Sequence, residues 1–242
     1  MPGNVYLIGA GPGAADLITV RGANLLAQAQ VVLYDALVTE ELLALCPQAK
    51  LIFVGKRAGQ CSTPQISINE ILLDCAQKYN FVVRLKGGDP MLFGRADEEL
   101  STLEAHKIEF EIVPGITSAL AAAAVTQQPL TKRGIARSVA FFTSTNAPDT
   151  PEQISIPNSD TLIQYMGGKE AIKTAQRLLE HHAPLKTPVI VIENCSRVNQ
   201  KIFRMTLQEL AQGLNDLHGP VLLMVGEAMR IRPNQKTPST LS

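Results

Sequence analysis

Short apolar runs alternate with stretches of mixed hydrophobic and polar positions through the first half of the chain. Residues 5–8, 30–34, 51–54, 81–85 and 109–113 read as strands, and runs this apolar are expected where a strand is buried on both faces. Between them, residues 16–29, 40–45, 64–78 and 96–105 carry helical spacing. Asp16 is a plausible cap for the first helix, and Thr63-Pro64 opens the third with proline in a favoured first-turn position. Strands that alternate with helices predict a mainly parallel α/β sheet.

The pattern changes after Pro114-Gly115. Residues 116–125 predict an alanine-rich helix whose small side chains permit close packing. Residues 138–143, 161–165, 188–192, 201–205 and 221–225 read as strands, several with no helix between them, and residues 168–181 and 207–214 read as helices. This half is expected to be α+β. The polar segment 144–160, with its three prolines, is either an interdomain linker or a loop inside the second half. The expected organisation is an N-terminal α/β domain over 1–116, a C-terminal α+β domain over 117–232 and a flexible tail over 233–242.

The chain has 242 residues, enough to bury a substantial core in one domain or two. Its 22 basic and 22 acidic residues cancel, which argues against a generic nucleic-acid or membrane-surface binder. The basic residues are nevertheless clustered: Lys132, Arg133 and Arg137 together, Lys56-Arg57 after the third strand, and Lys86 and Arg95 around a glycine turn. Each cluster reads either as solvated surface or as a contact for an anionic substrate. The four cysteines form no Cys-x-x-Cys pair, so zinc and dithiol chemistry lack support. No secretory signal or membrane-length apolar run is present, and a cytoplasmic compartment is expected. His181-His182 close a predicted helix, where positive charge suits the dipole, and are read as structural.

The candidate chemistry lies at the ends of the first, second and fourth strands. Leu85-Lys86-Gly87-Gly88-Asp89-Pro90 ends the fourth strand, and Gly9-Ala10-Gly11-Pro12-Gly13 ends the first. Ligands of open α/β sheets bind beyond the carboxyl ends of the strands, and glycine lets a ligand approach the backbone. Gly9, Gly11 and Ala14, with Asp35 further on, nominally satisfy the dinucleotide fingerprint. Against that reading, Pro12 lacks the N–H a phosphate cradle would use. Asp16 also puts negative charge where a pyrophosphate would sit. A phosphate-free cofactor such as S-adenosylmethionine fits better, because its sulfonium prefers carbonyl oxygens and carboxylates. Asp35 is either a site carboxylate or a cap for the following helix, and Met166 on its own is equally ordinary core filler.

Several ordered blocks carry a family resemblance over residues 5–227. They are residues 5–13, Tyr34-Asp35-Ala36-Leu37-Val38, Val54-Gly55-Lys56-Arg57-Ala58-Gly59, Thr63-Pro64-Gln65, residues 83–90, Phe93-Gly94-Arg95, Val113-Pro114-Gly115-Ile116-Thr117-Ser118 and Pro129-Leu130-Thr131. On these the chain resembles the uroporphyrinogen-III C-methyltransferase family of the tetrapyrrole methylase superfamily. The resemblance implies two α/β domains with the cofactor in the cleft between them, usually as a homodimer. It implies two methyl transfers from S-adenosylmethionine to C2 and C7 of uroporphyrinogen III, giving precorrin-2 and S-adenosylhomocysteine, for siroheme or cobalamin biosynthesis. By motif position it assigns Pro12, Gly87, Gly88, Asp89, Leu92, Thr117, Ser118, Met166 and Cys195 to the cofactor. Asp35 and Lys56 fall at the proposed catalytic positions, and no metal is implied.

Many relatives fuse this methylase to a dehydrogenase/ferrochelatase module. No such module precedes Met1, so methylation alone is expected. The chain departs from the family's usual pattern at Ala96-Asp97, at Lys132, at Thr143-Ser144-Thr145 and at Cys195. Arg57, Arg95 and Arg133 are the first choices for the carboxylates of an anionic tetrapyrrole, since guanidinium binds carboxylate in a bidentate manner. Two other readings remain on the residues alone: a dinucleotide-dependent oxidoreductase, and a tetrapyrrole-binding protein without catalysis.

Overall fold

The computed structural model describes residues 3–55, 64–144, 155–168, 170–214 and 217–232. The chain divides into two compact units, Met1–Ser118 and Ala119–Ser242. The segment 233–242, expected to be a flexible tail, lies outside the described residues.

The first unit is built on strands β1 (Asn4–Gly9), β2 (Val31–Tyr34), β3 (Lys50–Phe53), β4 (Phe81–Lys86) and β5 (Phe110–Val113). They form one sheet in the order β3-β2-β4-β1-β5, and every neighbouring pair is parallel. All five carboxyl ends therefore lie along one edge. Helices α1 (Val20–Leu26), α2 (Glu40–Leu43), α3 (Gln65–Lys78) and α4 (Ala96–Ala105) connect them. Alternate strand residues feed two cores. Val5, Leu7, Leu33 and Val82 pack with Leu72 of α3 and Leu103 of α4. Ile8, Val32, Val83 and Leu85 pack with Leu26 of α1 and Leu42 of α2. Each fully buried leucine contributes about 1.5–3 kcal/mol of transfer free energy. Coverage of both faces explains why these strands carry unbroken apolar runs.

The expected helix over 16–29 starts later in the structure. A short 3-10 turn, Ala15–Leu17, comes first, and Asp16 caps nothing. α1 begins at Val20, where the Thr19 hydroxyl accepts the Gly22 N–H at 3.1 Å. Thr19, directly after the apolar Leu17-Ile18 pair, supplies an acceptor for one otherwise unsatisfied N–H of the first turn. Pro64 precedes α3 as its cap residue rather than lying in the first turn.

The second unit holds α5 (Ser118–Thr126, its first residue shared with the boundary), β6 (Val139–Thr143), β7 (Thr161–Tyr165), α6 (Ala171–Glu180), β8 (Pro188–Glu193), β9 (Lys201–Thr206), α7 (Leu207–Gln212) and β10 (Val221–Val225). The sheet order is β6-β7-β10-β8-β9. β6 and β7 are parallel and the other pairs antiparallel. This mixed sheet matches the α+β expectation. Hairpin-like connection of β8 to β9 needs no crossover helix, which is why strands follow one another here. Asp160 fixes the start of the β6–β7 pair by accepting the N–H groups of Arg137 and Ser138 and the Ser138 hydroxyl, at 2.8–3.0 Å. A reciprocal capping box between Thr206 and Glu209 starts α7. His181 ends α6 with its backbone N–H on the Arg177 carbonyl.

Candidate active site

The carboxyl edge of the first sheet gathers the turns after β1, β2, β4 and β5. Gly11 and Gly88 exchange backbone hydrogen bonds: Gly88 N–H donates to the Gly11 carbonyl at 2.7 Å, and Gly11 N–H to the Gly88 carbonyl at 3.2 Å. Both have positive φ, +77° and +69°, a region where a side chain strains the backbone. Gly9, Gly88 and Gly115 also touch backbone to backbone. A Cβ on Gly115 would fall 2.2 Å from the Gly88 carbonyl oxygen, and one on Gly9 would fall 2.5 Å from the Gly115 Cα. These glycines are needed first of all for strand-end packing.

Gly87 and Gly88 differ in what they face. A Cβ on Gly87 would meet the Leu37 side chain at 2.6 Å, whereas one on Gly88 would meet nothing within 4 Å. Gly88 is thus the position of the pair where backbone borders open space. Local sequence does not distinguish the two; the filling of Gly87 by Leu37 depends on β2 lying beside β4.

Two carboxylates lock these turns. Asp35, at the end of β2, accepts the Leu37 N–H at 2.9 Å and the Gly87 N–H at 3.2 Å. It does not cap α2; Thr39 precedes that helix, and its hydroxyl donates to the Gly13 carbonyl at 3.2 Å. Asp89 accepts the Met91 N–H at 2.8 Å and the Gly115 N–H at 2.9 Å. Pro12 lies between Gly11 and Gly13 in the first turn, Leu92 in the turn after Asp89, and Thr117 and Ser118 two and three residues past the locked Gly115, at the entry to α5. Lys56 and Arg57 lie outside the described residues.

Met166 and Cys195 belong to the second unit. Met166 follows β7 at φ +56° and is half exposed. It occupies a solvent-facing turn, so the core-filler alternative does not hold. Cys195 follows β8 between two residues of positive φ, Asn194 and Ser196. Burial pushes its thiol up to about 11, so it is a weakly acidic, unreactive thiol.

The basic clusters separate as well. Lys86 is buried and bonded to Glu99 at 2.7 Å, so the strand places it under the site rather than toward a substrate. Arg95 forms a bidentate pair with Glu98 at 2.6 and 2.8 Å. Arg133 is exposed in the tight loop closed by the Lys132–Ala136 backbone pair. Glu99 and Arg84 were not singled out from sequence. Their signal was present: Arg84 and Lys86 alternate on an otherwise apolar strand, and Glu99 lies on the buried stripe of α4 with Ala96 and Leu103.

The N–H groups of Gly11, Gly87, Gly88 and Gly115 all have protein acceptors. Thr19 occupies the first turn of α1. These four glycine N–H groups are therefore not free for a pyrophosphate. Carbonyl oxygens and two carboxylates dominate, a donor-poor environment that suits a cation-bearing ligand such as a sulfonium.

Comparison with known proteins agrees with this chemistry. The tetrapyrrole (corrin/porphyrin) methylase family matches residues 4–211, and the chain belongs to it. It is 43% identical over 241 residues to a siroheme synthase of Pseudomonas fluorescens (strain SBW25), covering 97% of this chain and 52% of that protein. It is 46% identical to a siroheme synthase of Tolumonas auensis (strain DSM 9187 / NBRC 110442 / TA 4), covering 93% and 49%. The chain spans about half the length of these curated relatives. Among solved structures it resembles the uroporphyrin-III C-methyl transferase of Thermus thermophilus complexed with S-adenyl homocysteine. The TM-score is 0.84 and the identity 36%, with 98% of each chain covered. A cobalt precorrin-4 methyltransferase gives a TM-score of 0.83 at 30% identity, covering 94% of this chain and 96% of that one.

Proposed function

We propose that this chain transfers methyl groups from S-adenosylmethionine to C2 and C7 of uroporphyrinogen III, forming precorrin-2 and S-adenosylhomocysteine. The observation that carries the reading is the match, over 98% of both chains, to a C-methyltransferase complexed with S-adenyl homocysteine. The donor-poor glycine edge described above supports it independently. S-adenosylmethionine supplies a methyl group on a positively charged sulfur.

The porphyrinogen pyrrole is electron-rich and needs no covalent activation, so alignment of the reacting carbon is the protein's main contribution. Gly88 offers backbone to an approaching ligand, and Pro12, Gly87, Asp89, Leu92, Thr117 and Ser118 surround that edge as proposed cofactor contacts. Met166, on its exposed turn, and the backbone of Cys195 are the proposed contacts of the second unit. Asp35 holds a carboxylate at the end of β2. Two of its lone pairs are committed to N–H groups, and others remain to stabilise the cation left on the macrocycle or to take its proton. Lys56 is the second proposed catalytic residue. Of the two candidate arginines that the structure describes, Arg133 suits a rim carboxylate better, because Arg95 is already engaged by Glu98.

We read the protein as a cytoplasmic homodimer. Among the described residues no helix is long and apolar enough to cross a membrane, and light scattering at the column outlet tests the dimer. The reaction is tested by anaerobic incubation of the chain with uroporphyrinogen III and S-adenosylmethionine, followed by mass spectrometry of the tetrapyrrole. A gain of two methyl groups is expected. Binding of both ligands with no mass gain overturns the reading.

A further inference from the structure

β4 is apolar except for Arg84 and Lys86, which alternate and so face the same way as Val82, toward α3 and α4. Arg84 is 4% exposed, Lys86 3% and Glu99 0%. Glu99 accepts Arg84 Nε on one oxygen at 3.0 Å and Lys86 Nζ on the other at 2.7 Å. One buried carboxylate thus serves two buried cations. The Arg84–Glu99 pair alone would be neutral. Lys86 adds a surplus positive charge in a place where unpaired charge is costly. An apolar side chain at 86 would cover α4 as Val82 does further along the strand.

The residue after Lys86 is tied to a second carboxylate: the Gly87 N–H donates to Asp35 at 3.2 Å. Burial and then Arg84 push the Lys86 amine below its ordinary range, and Glu99 and Asp35 pull it back. The peptide that joins Lys86 to Gly87 is held on both sides: its carbonyl accepts the Ala10 N–H at 2.8 Å, and its N–H donates to Asp35. The Lys86 stem runs close to Gly94, where a Cβ would come within 3.2 Å of Cε.

We infer that Lys86 is a positioning residue, whose buried ion pair with Glu99 anchors the strand end that holds the Asp35 carboxylate at the Gly87 amide. The charged groups around it are Arg84 from its own strand, Glu99 from α4 and Asp35 from the end of β2. The inference rests on the proposed role of Asp35 in methyl transfer. It predicts that Lys86 costs folding stability and serves activity, as strained or unbalanced groups at functional sites do.

The test uses the full chain with Lys86→Met, Lys86→Arg and Asp35→Asn. In Lys86→Met, amide hydrogen exchange at Leu37 and Gly87 is expected to quicken about tenfold while core amides of β1 and β4 keep their rates. The thermal midpoint should hold or rise. Turnover should fall about tenfold with each KM within about threefold of wild type. Lys86→Arg should restore protection at Leu37 and Gly87. Unchanged exchange at those two amides in Lys86→Met overturns the inference. So does a general acceleration across the sheet with a lowered midpoint, which marks a purely structural residue. Full turnover in Asp35→Asn removes the role proposed for Asp35, and the exchange result still decides whether Lys86 holds it.

Discussion

Asp89 reaches the amide of Gly115 at 2.9 Å, tying the end of β4 to the end of β5 across β1, which lies between them. Its other oxygen takes the Met91 N–H. A residue expected from the family resemblance to touch the cofactor thus has a prior duty in shaping the edge. Removing it by Asp89→Ala leaves two N–H groups without their charged acceptor. A loss of about 2 kcal/mol is expected in urea unfolding, together with weakened S-adenosylmethionine binding by calorimetry. Unchanged stability would show that the β5 turn holds its shape without this bond.

Gly115 and Gly88 should separate folding from binding. A Cβ on Gly115 collides with backbone at 2.2 Å, so Gly115→Ala must move a strand end and should cost about 3 kcal/mol or more. Gly88→Ala meets no atom within 4 Å and carries only the cost of its positive φ, about 1–2 kcal/mol. It should fold, and lose S-adenosylmethionine affinity by about tenfold or more as the methyl enters the open space. Full affinity in folded Gly88→Ala would move the ligand away from this edge.

Asp35→Asn keeps a side-chain oxygen for the Leu37 amide and removes the charge. Turnover is expected to fall about 100-fold, the scale of a lost proton-transfer or charge-stabilising group, while S-adenosylmethionine binding stays near wild type. Steady-state kinetics beside calorimetry separate the two; equal loss of binding and turnover would instead assign Asp35 to the cofactor.

Glu193, buried at the end of β8, should make stability depend on acid. It accepts the N–H groups of Gly219 and His218 at 2.7 and 2.6 Å and pairs with Lys201 at 3.0 Å. The Gly219 N–H, with help from Lys201 and the His218 N–H, brings its carboxyl down to about 2 against the cost of burial. The folded state therefore binds the proton less readily than the unfolded chain does. The resulting stabilisation is complete above the ordinary value of 4.5 and is lost as pH falls toward about 2. Thermal midpoints should drop through that window in the wild type, and Glu193→Gln, weaker at neutral pH, should converge with it at the acid end. Parallel curves for the two proteins would assign the acid sensitivity elsewhere.

The strand–helix alternation and the two-unit plan were legible because backbone hydrogen bonding and burial impose local periods on the residues. β4, α4, β7 and β10 could be placed within a residue from their pattern alone. The start of α1 was misplaced because Asp16 and Thr19 are both good caps in sequence, and only the 3-10 turn at Ala15–Leu17 decides between them.

The sequence by itself determined that β1 and β4 are buried strands ending in glycine turns, that carboxylates stand beside those turns, and that the chain belongs with tetrapyrrole methylases. These properties are carried by neighbouring residues and by ordered motifs. Only the tertiary structure decided which glycine faces open space, what Asp35 and Asp89 bind, and that Lys86 lies under the site with Glu99 instead of facing substrate. Each of those facts depends on strand order: β2 beside β4 brings Leu37 over Gly87, and β1 between β4 and β5 brings three glycine backbones into contact. Such contacts join residues 26 to 106 positions apart, a separation over which local pattern carries no information.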